Sequence, residues 1–98
     1  MTRSALAARI RVRLVRARVR STALCSFDHV PAIAKAHARA LEVEFRLWHA
    51  LAKFGLVPTS DLAWSTVITS DAEWQRRIST PAVAMRSKYS ALAEGTQS

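Results

Sequence analysis

Lys35, Arg39, Glu42, Arg46, His49 and Lys53 recur at steps of 4, 3, 4, 3 and 4 residues. At about 100° per residue these six fall on one narrow stripe of an α-helix, and no strand reproduces that spacing. The rest of the stretch from Pro31 to Leu56 is nearly all apolar, with Ile33, Leu41, Val43, Phe45, Leu47, Trp48 and Leu51 its bulkiest members. So wide an apolar face predicts a central helix buried on more than one side. Glu42 precedes Arg46 by four, the favourable order for a helix ion pair worth about 0.2–0.5 kcal/mol. At the ends, Asp28 is expected as N-cap and Pro31 fits a first turn. Gly55 is the expected residue just past the helix, and Pro58 prevents continuation.

His37 and Glu44 interrupt the apolar part of this helix. They stand seven apart and therefore share a face. One reading is a buried polar pair performing acid–imidazole chemistry. The other is that each meets its own partner, such as an N-terminal arginine or another subunit. The second is favoured, because buried ionisable groups are most often paired for structural reasons.

Ninety-eight residues allow one domain with a modest core. Half of the residues are hydrophobic, far above what a disordered chain carries. The net charge of +8 is placed unevenly: residues 1–27 hold seven arginines and no acid, whereas the remainder is nearly neutral. Two parts are therefore expected, an Arg-rich arm over 1–27 and a small helical domain over 28–98.

The arm is rich in Arg, Ala, Ser and aliphatic residues. That is the composition of a mitochondrial targeting segment. It also suits an arm that neutralises RNA phosphates, since Arg supplies charge and bidentate donors. The alternation from Arg9 to Leu14 fits an edge strand as well, though it slips at Leu14-Val15. As a helix, Arg9, Arg13, Arg16 and Arg20 share a face, with Arg11 and Arg18 opposite. These six arginines are the candidate anion- or partner-binding residues, and an extended and a helical arm both remain open.

After the central helix, Ser60 and Asp61 are placed to cap a short helix, while residues 65–69 favour extended structure. Ser70-Asp71-Ala72-Glu73 has the form of a capping box and should open the last helix. Trp74, Ile78, Ala82, Met85, Tyr89 and Leu92 then form a near-heptad stripe that runs past Pro81. This predicts one helix kinked at Pro81, or two helices with Thr80 capping the second. Gly95 is expected to end it. The fold class is thus mainly α, a long central helix packed against a Pro-kinked C-terminal helix.

Chemistry-bearing motifs are scarce. The two glycines stand at expected helix ends, so no phosphate-binding loop is formed. The single cysteine, Cys25, makes neither an internal disulfide nor a CxxC motif. His29, His37 and His49 lack the i,i+4 spacing of a two-histidine metal site. No enzyme activity, cofactor, metal or small-molecule substrate is expected. Trp48, Trp64 and Trp74 are expected to anchor the chain to neighbours. No run of 18 uncharged apolar residues is present to cross a membrane.

Arg46-Leu47-Trp48, Lys53-Phe54-Gly55-Leu56, Asp61-Leu62 and Asp71 to Ile78 together resemble the small matrix-side helical subunit of the mitochondrial cytochrome bc1 complex, the ubiquinol–cytochrome c reductase subunit 7 type. The resemblance covers residues 44–92. The chain departs from that pattern where a spacer before the Gly-Leu turn is missing, where Ile78-Ser79-Thr80-Pro81 replaces Leu-Pro after the paired arginines, and in the earlier start of the central helix. The resemblance implies a non-catalytic accessory subunit of a respiratory complex, peripheral on the matrix side of the inner membrane and in contact with other protein subunits. Anionic lipid headgroups are a further expected partner of the arm. The alternative is a small RNA-binding protein of a mitochondrial ribosome or other ribonucleoprotein.

Overall fold

The computed structural model describes residues 2–55, 64 and 67–96, and all regular structure among them is helical. Helix α1 spans Arg3–Leu24 and is followed by a single 3-10 turn, Cys25–Phe27. Helix α2 spans Pro31–Lys53. A short α3, Asp71–Trp74, passes through a π turn, Gln75–Ser79, into α4, Thr80–Thr96.

The arginine-rich segment is therefore a helix, not a strand. Thr2 caps it, its Oγ1 accepting the Ala5 N–H at 3.1 Å. Arg, Ala and Leu all favour helix, and together they outweigh the local alternation. Nor is this segment an arm. Leu14, Val15, Val19, Ala23 and Leu24 are all buried, and each of the three apolar clusters of the molecule contains residues of α1. The expected boundary at residue 27 does not separate an appendage from a body: the domain is built around α1.

α1 lies between the other long helices. α2 packs along one side of it, and the π turn and α4 along another. At the N-terminal end of α2, Val30 and Ile33 cluster with Ala93 of α4 beside Tyr89. The long central helix thus rests on α1 rather than along the C-terminal helix.

The polar stripe of α2 is exposed at all six positions, and Glu42 pairs with Arg46 as expected. Gly55 follows the helix with φ +72°, the left-handed conformation that glycine adopts without steric cost. Asp28 is not the N-cap. Val30 holds that position with no side-chain cap, and Pro31 opens the helix. Asp28 instead lies 3.0 Å from Nδ1 of His37, bridging the turn to the helix.

Ser70 caps α3 as expected, its Oγ accepting the Glu73 N–H at 3.2 Å. Glu73 reaches back one residue farther than a standard capping box. It accepts from the backbone N–H and hydroxyl of Thr69 and pairs with Arg77. Pro81 is absorbed by the preceding π turn, in which the Thr80 N–H donates to the Gln75 carbonyl. Widening the turn there suits a proline that has no N–H and crowds the carbonyl four residues back. Thr80 has helical dihedrals and caps nothing. The helix also runs through Gly95 to Thr96.

Ile78 and Ala82 of the expected stripe are fully buried, but Leu92 is exposed and Ala93 is buried instead. A heptad pattern drifts by about 20° per repeat on a straight helix, which moves the inward position on by one residue. Ser60, Asp61, Leu62 and residues 65–66 lie outside the described residues. Ile68 is buried and Val67 half-buried, both against the core.

Candidate functional site: an arginine-floored groove

The arginines of α1 divide into two environments. Arg18 points to the closed side of the helix. Its guanidinium lies 5.9 Å from the Trp64 ring centre and 5.7 Å from that of Trp74, distances at which a cation is drawn to an indole face. Its Nη1 is 3.4 Å from Glu44 Oε1, and Ser21 Oγ donates to Glu44 Oε2 at 3.1 Å. Its Nε is buried and has no hydrogen-bond partner among the described residues. Glu44 is therefore a buried carboxylate held by α1. It forms no pair with His37, which is bonded to Asp28. Two turns of helix separate His37 from Glu44, so sharing a face does not bring them into contact.

The three tryptophans meet here as well. Trp48 and Trp64 are edge-to-face at 5.1 Å, and Trp64 and Trp74 at 5.5 Å. Trp48 is buried and the other two are half-buried. Their rings pack on one another inside the domain, while Trp64 and Trp74 keep part of their surface open. Offset and edge-to-face pairs of this kind add about 0.5–1.5 kcal/mol beyond area burial.

Arg13, Arg16 and Arg20 lie on the opposite side of α1. They are exposed and make no ion pair among the described residues. α2 and α4 stand on either side of this stripe and form a groove of about 930 Å³. Its floor is α1. Ala40, Val43 and Leu47 of α2 form one wall, and Pro81, Met85 and Tyr89 of α4 the other. Ala36, Arg39 and Arg77 also line it, and among the described residues the lining contains no aspartate or glutamate. Arg77 is occupied by Glu73 at 2.9 Å. That pairing, with the Thr69 backbone bond next, holds the Glu73 carboxyl below its ordinary pKa.

Of the remaining candidates, Arg9 is exposed on the groove side of the helix. Arg11 is half-buried and lines a smaller hollow of about 350 Å³ with Arg3 and Phe54. The Arg3 guanidinium lies 5.4 Å from the Phe54 ring centre. Cys25 is exposed, and its Sγ donates to the Thr22 carbonyl at 3.1 Å. Among the described residues no group of three His, Cys, Asp or Glu is placed to hold a metal ion. Among them too, no helix is long and apolar enough to cross a membrane.

The outer flank of α2 was expected to be covered, and it is not. Phe45 is 57% exposed and Leu41 44%, with the Phe45 ring edge-to-face with His49 at 4.4 Å. The groove was not legible in the sequence, since it depends on α2 and α4 diverging from opposite sides of α1. The shared face of Arg13, Arg16 and Arg20 was the one part visible beforehand. No family model, no curated protein and no solved structure matches this chain.

Proposed function

We propose that this chain is a non-catalytic accessory subunit that docks onto protein neighbours in a larger assembly. The supporting observation is α2, which is apolar over most of its circumference yet buried mainly along the side that meets α1. Leu41, Val43 and Phe45 remain exposed in a chain of 98 residues. Large apolar side chains left open beside a cationic groove suit a surface completed by other subunits.

The assembly we propose is a respiratory complex of the mitochondrial inner membrane, with the chain peripheral on the matrix side. The arginine-rich, acid-free N-terminus and the resemblance described above favour that setting. In it, α1 stays on the mature chain, because removing it would strip residues from all three apolar clusters.

The test is native gel migration of the endogenous protein from a detergent-solubilised membrane fraction, with and without ribonuclease. A large complex that ribonuclease leaves intact is the expected result, and co-migrating subunits then name the complex. Collapse on ribonuclease treatment favours the RNA-binding alternative, for which the specific observation is that Arg13, Arg16 and Arg20 are exposed with no ion pair among the described residues. Migration as a free monomer overturns both.

A further inference from the structure

The groove combines two chemistries on one solvent-facing surface, a cationic floor and apolar walls. We infer that it is a docking site for one acidic helix of a partner protein, a helix whose carboxylate stripe is flanked on both sides by Leu- or Met-sized residues. This inference rests on the accessory-subunit reading and names the partner's chemistry.

Four observations carry it. The first is charge. Among the described residues, Arg13, Arg16 and Arg20 face the opening with no ion pair, and no acid lines the groove. The second is register. These arginines stand at steps of three and four along α1, which is also the spacing of a carboxylate stripe on a facing helix. A planar guanidinium binds a carboxylate through two parallel hydrogen bonds.

The third is length. The walls run from Ala36 to Leu47 on α2 and from Arg77 in the π turn to Tyr89 on α4. At about 1.5 Å per residue each is roughly 16–18 Å long, about three helical turns. The fourth is the wall chemistry. A phosphate backbone has no use for Val43, Leu47, Pro81 and Met85, whereas the apolar flanks of a helix bury against them. Met85 adds a side chain that adapts to varied partners.

A second copy of this chain is not the occupant. Each copy carries a net charge of +8. Its acids are Asp28, Glu42, Glu44, Asp61, Asp71, Glu73 and Glu94, and among the described residues no helical face gathers three of them.

The test uses the full chain and fluorescently labelled peptides of about 16 residues. One carries glutamates at i, i+3 and i+7 with leucines on both flanks. The second is its scramble, the third replaces Glu by Lys, and a uridine 12-mer is the nucleic-acid probe. The acidic helix is expected to bind, and its scramble to bind at least about tenfold more weakly. Arg13→Glu, Arg16→Glu and Arg20→Glu should each weaken the acidic peptide by about tenfold and strengthen the lysine peptide. Val43→Asp, an exposed wall position, should weaken it by about tenfold and, like the milder Arg16→Gln, leave the circular dichroism melt unchanged.

Equal binding of the helix and its scramble overturns the proposal, because the groove would then be reading charge alone. Tighter binding of the uridine 12-mer, lost in the same variants, overturns it in favour of RNA. If the peptide fails while the endogenous chain still runs in a ribonuclease-resistant complex, the groove assignment falls and the accessory-subunit reading stands.

Discussion

The two sides of α1 carry the same residue type and treat it in opposite ways. On the closed side, Arg18 is enclosed by two indole rings and neutralised by Glu44. On the open side, Arg13, Arg16 and Arg20 stand exposed with no ion pair among the described residues. The difference shows what decides the role of a cation in a small protein. An arginine becomes structural where a distant part of the chain supplies both an apolar cover and a counter-charge. Where the flanking helices diverge, the same residue is left available for a partner.

This comparison is most severely tested by removing α1. Deletion of residues 2–24 should abolish the cooperative thermal transition seen by circular dichroism, because every apolar cluster loses members. A truncated chain that still unfolds cooperatively would restore the picture of an appended arm.

Leu14→Ala comes next. Leu14 is fully buried beside Trp48 and Leu51, and its truncation should cost about 3 kcal/mol in urea unfolding. Glu44→Ala should cost about 2 kcal/mol, below the range for a fully enclosed pair because the Arg18 side chain keeps 36% of its exposure. A double-mutant cycle with Arg18→Ala should return a coupling of about 1 kcal/mol, and a coupling near zero would remove the distinction between the two sides.

On the open side, Arg13→Gln, Arg16→Gln and Arg20→Gln should each shift stability by no more than about 0.5 kcal/mol. Any one costing as much as Glu44→Ala would mean that the groove arginines are structural too.

The smallest expected effect concerns pH. The Glu73 carboxyl is held below its ordinary value first by Arg77 and then by the Thr69 backbone N–H, with partial burial opposing. Its contribution is therefore fully present above the unfolded-state pKa. It is lost as pH falls through the lowered folded-state value. Glu73→Gln should flatten the acid limb of the stability–pH curve in that window by lowering stability slightly at neutral pH while matching the parent chain at the acid end, as followed by thermal melts from pH 2 to 7.

Much of the local structure was legible from the residues alone. The 4-3-4-3-4 stripe gives α2 and its solvent face, Gly55 gives its end, and Ser70 the start of α3, because each depends on contacts within a few residues. Two expected caps failed: Asp28 is drawn to His37, nine residues away, and the last helix continues through Gly95. The N-terminal segment was read as an appendage because its net charge dominates its composition. The aliphatic residues between the arginines look sparse until two helices flank them and bury both sides.

The sequence by itself determined that this chain is helical, where its polar faces run, and that its cations concentrate near the N-terminus, since helical periodicity and charge are properties of residues close in the chain. Only the tertiary structure decided which of those cations are buried and which face a groove. That choice depends on Glu44, Trp64 and Trp74 meeting Arg18 from 26 to 56 residues away, and on α2 and α4 flanking α1 without closing over it. Such pairings are set by packing over the whole domain, and no local pattern encodes them.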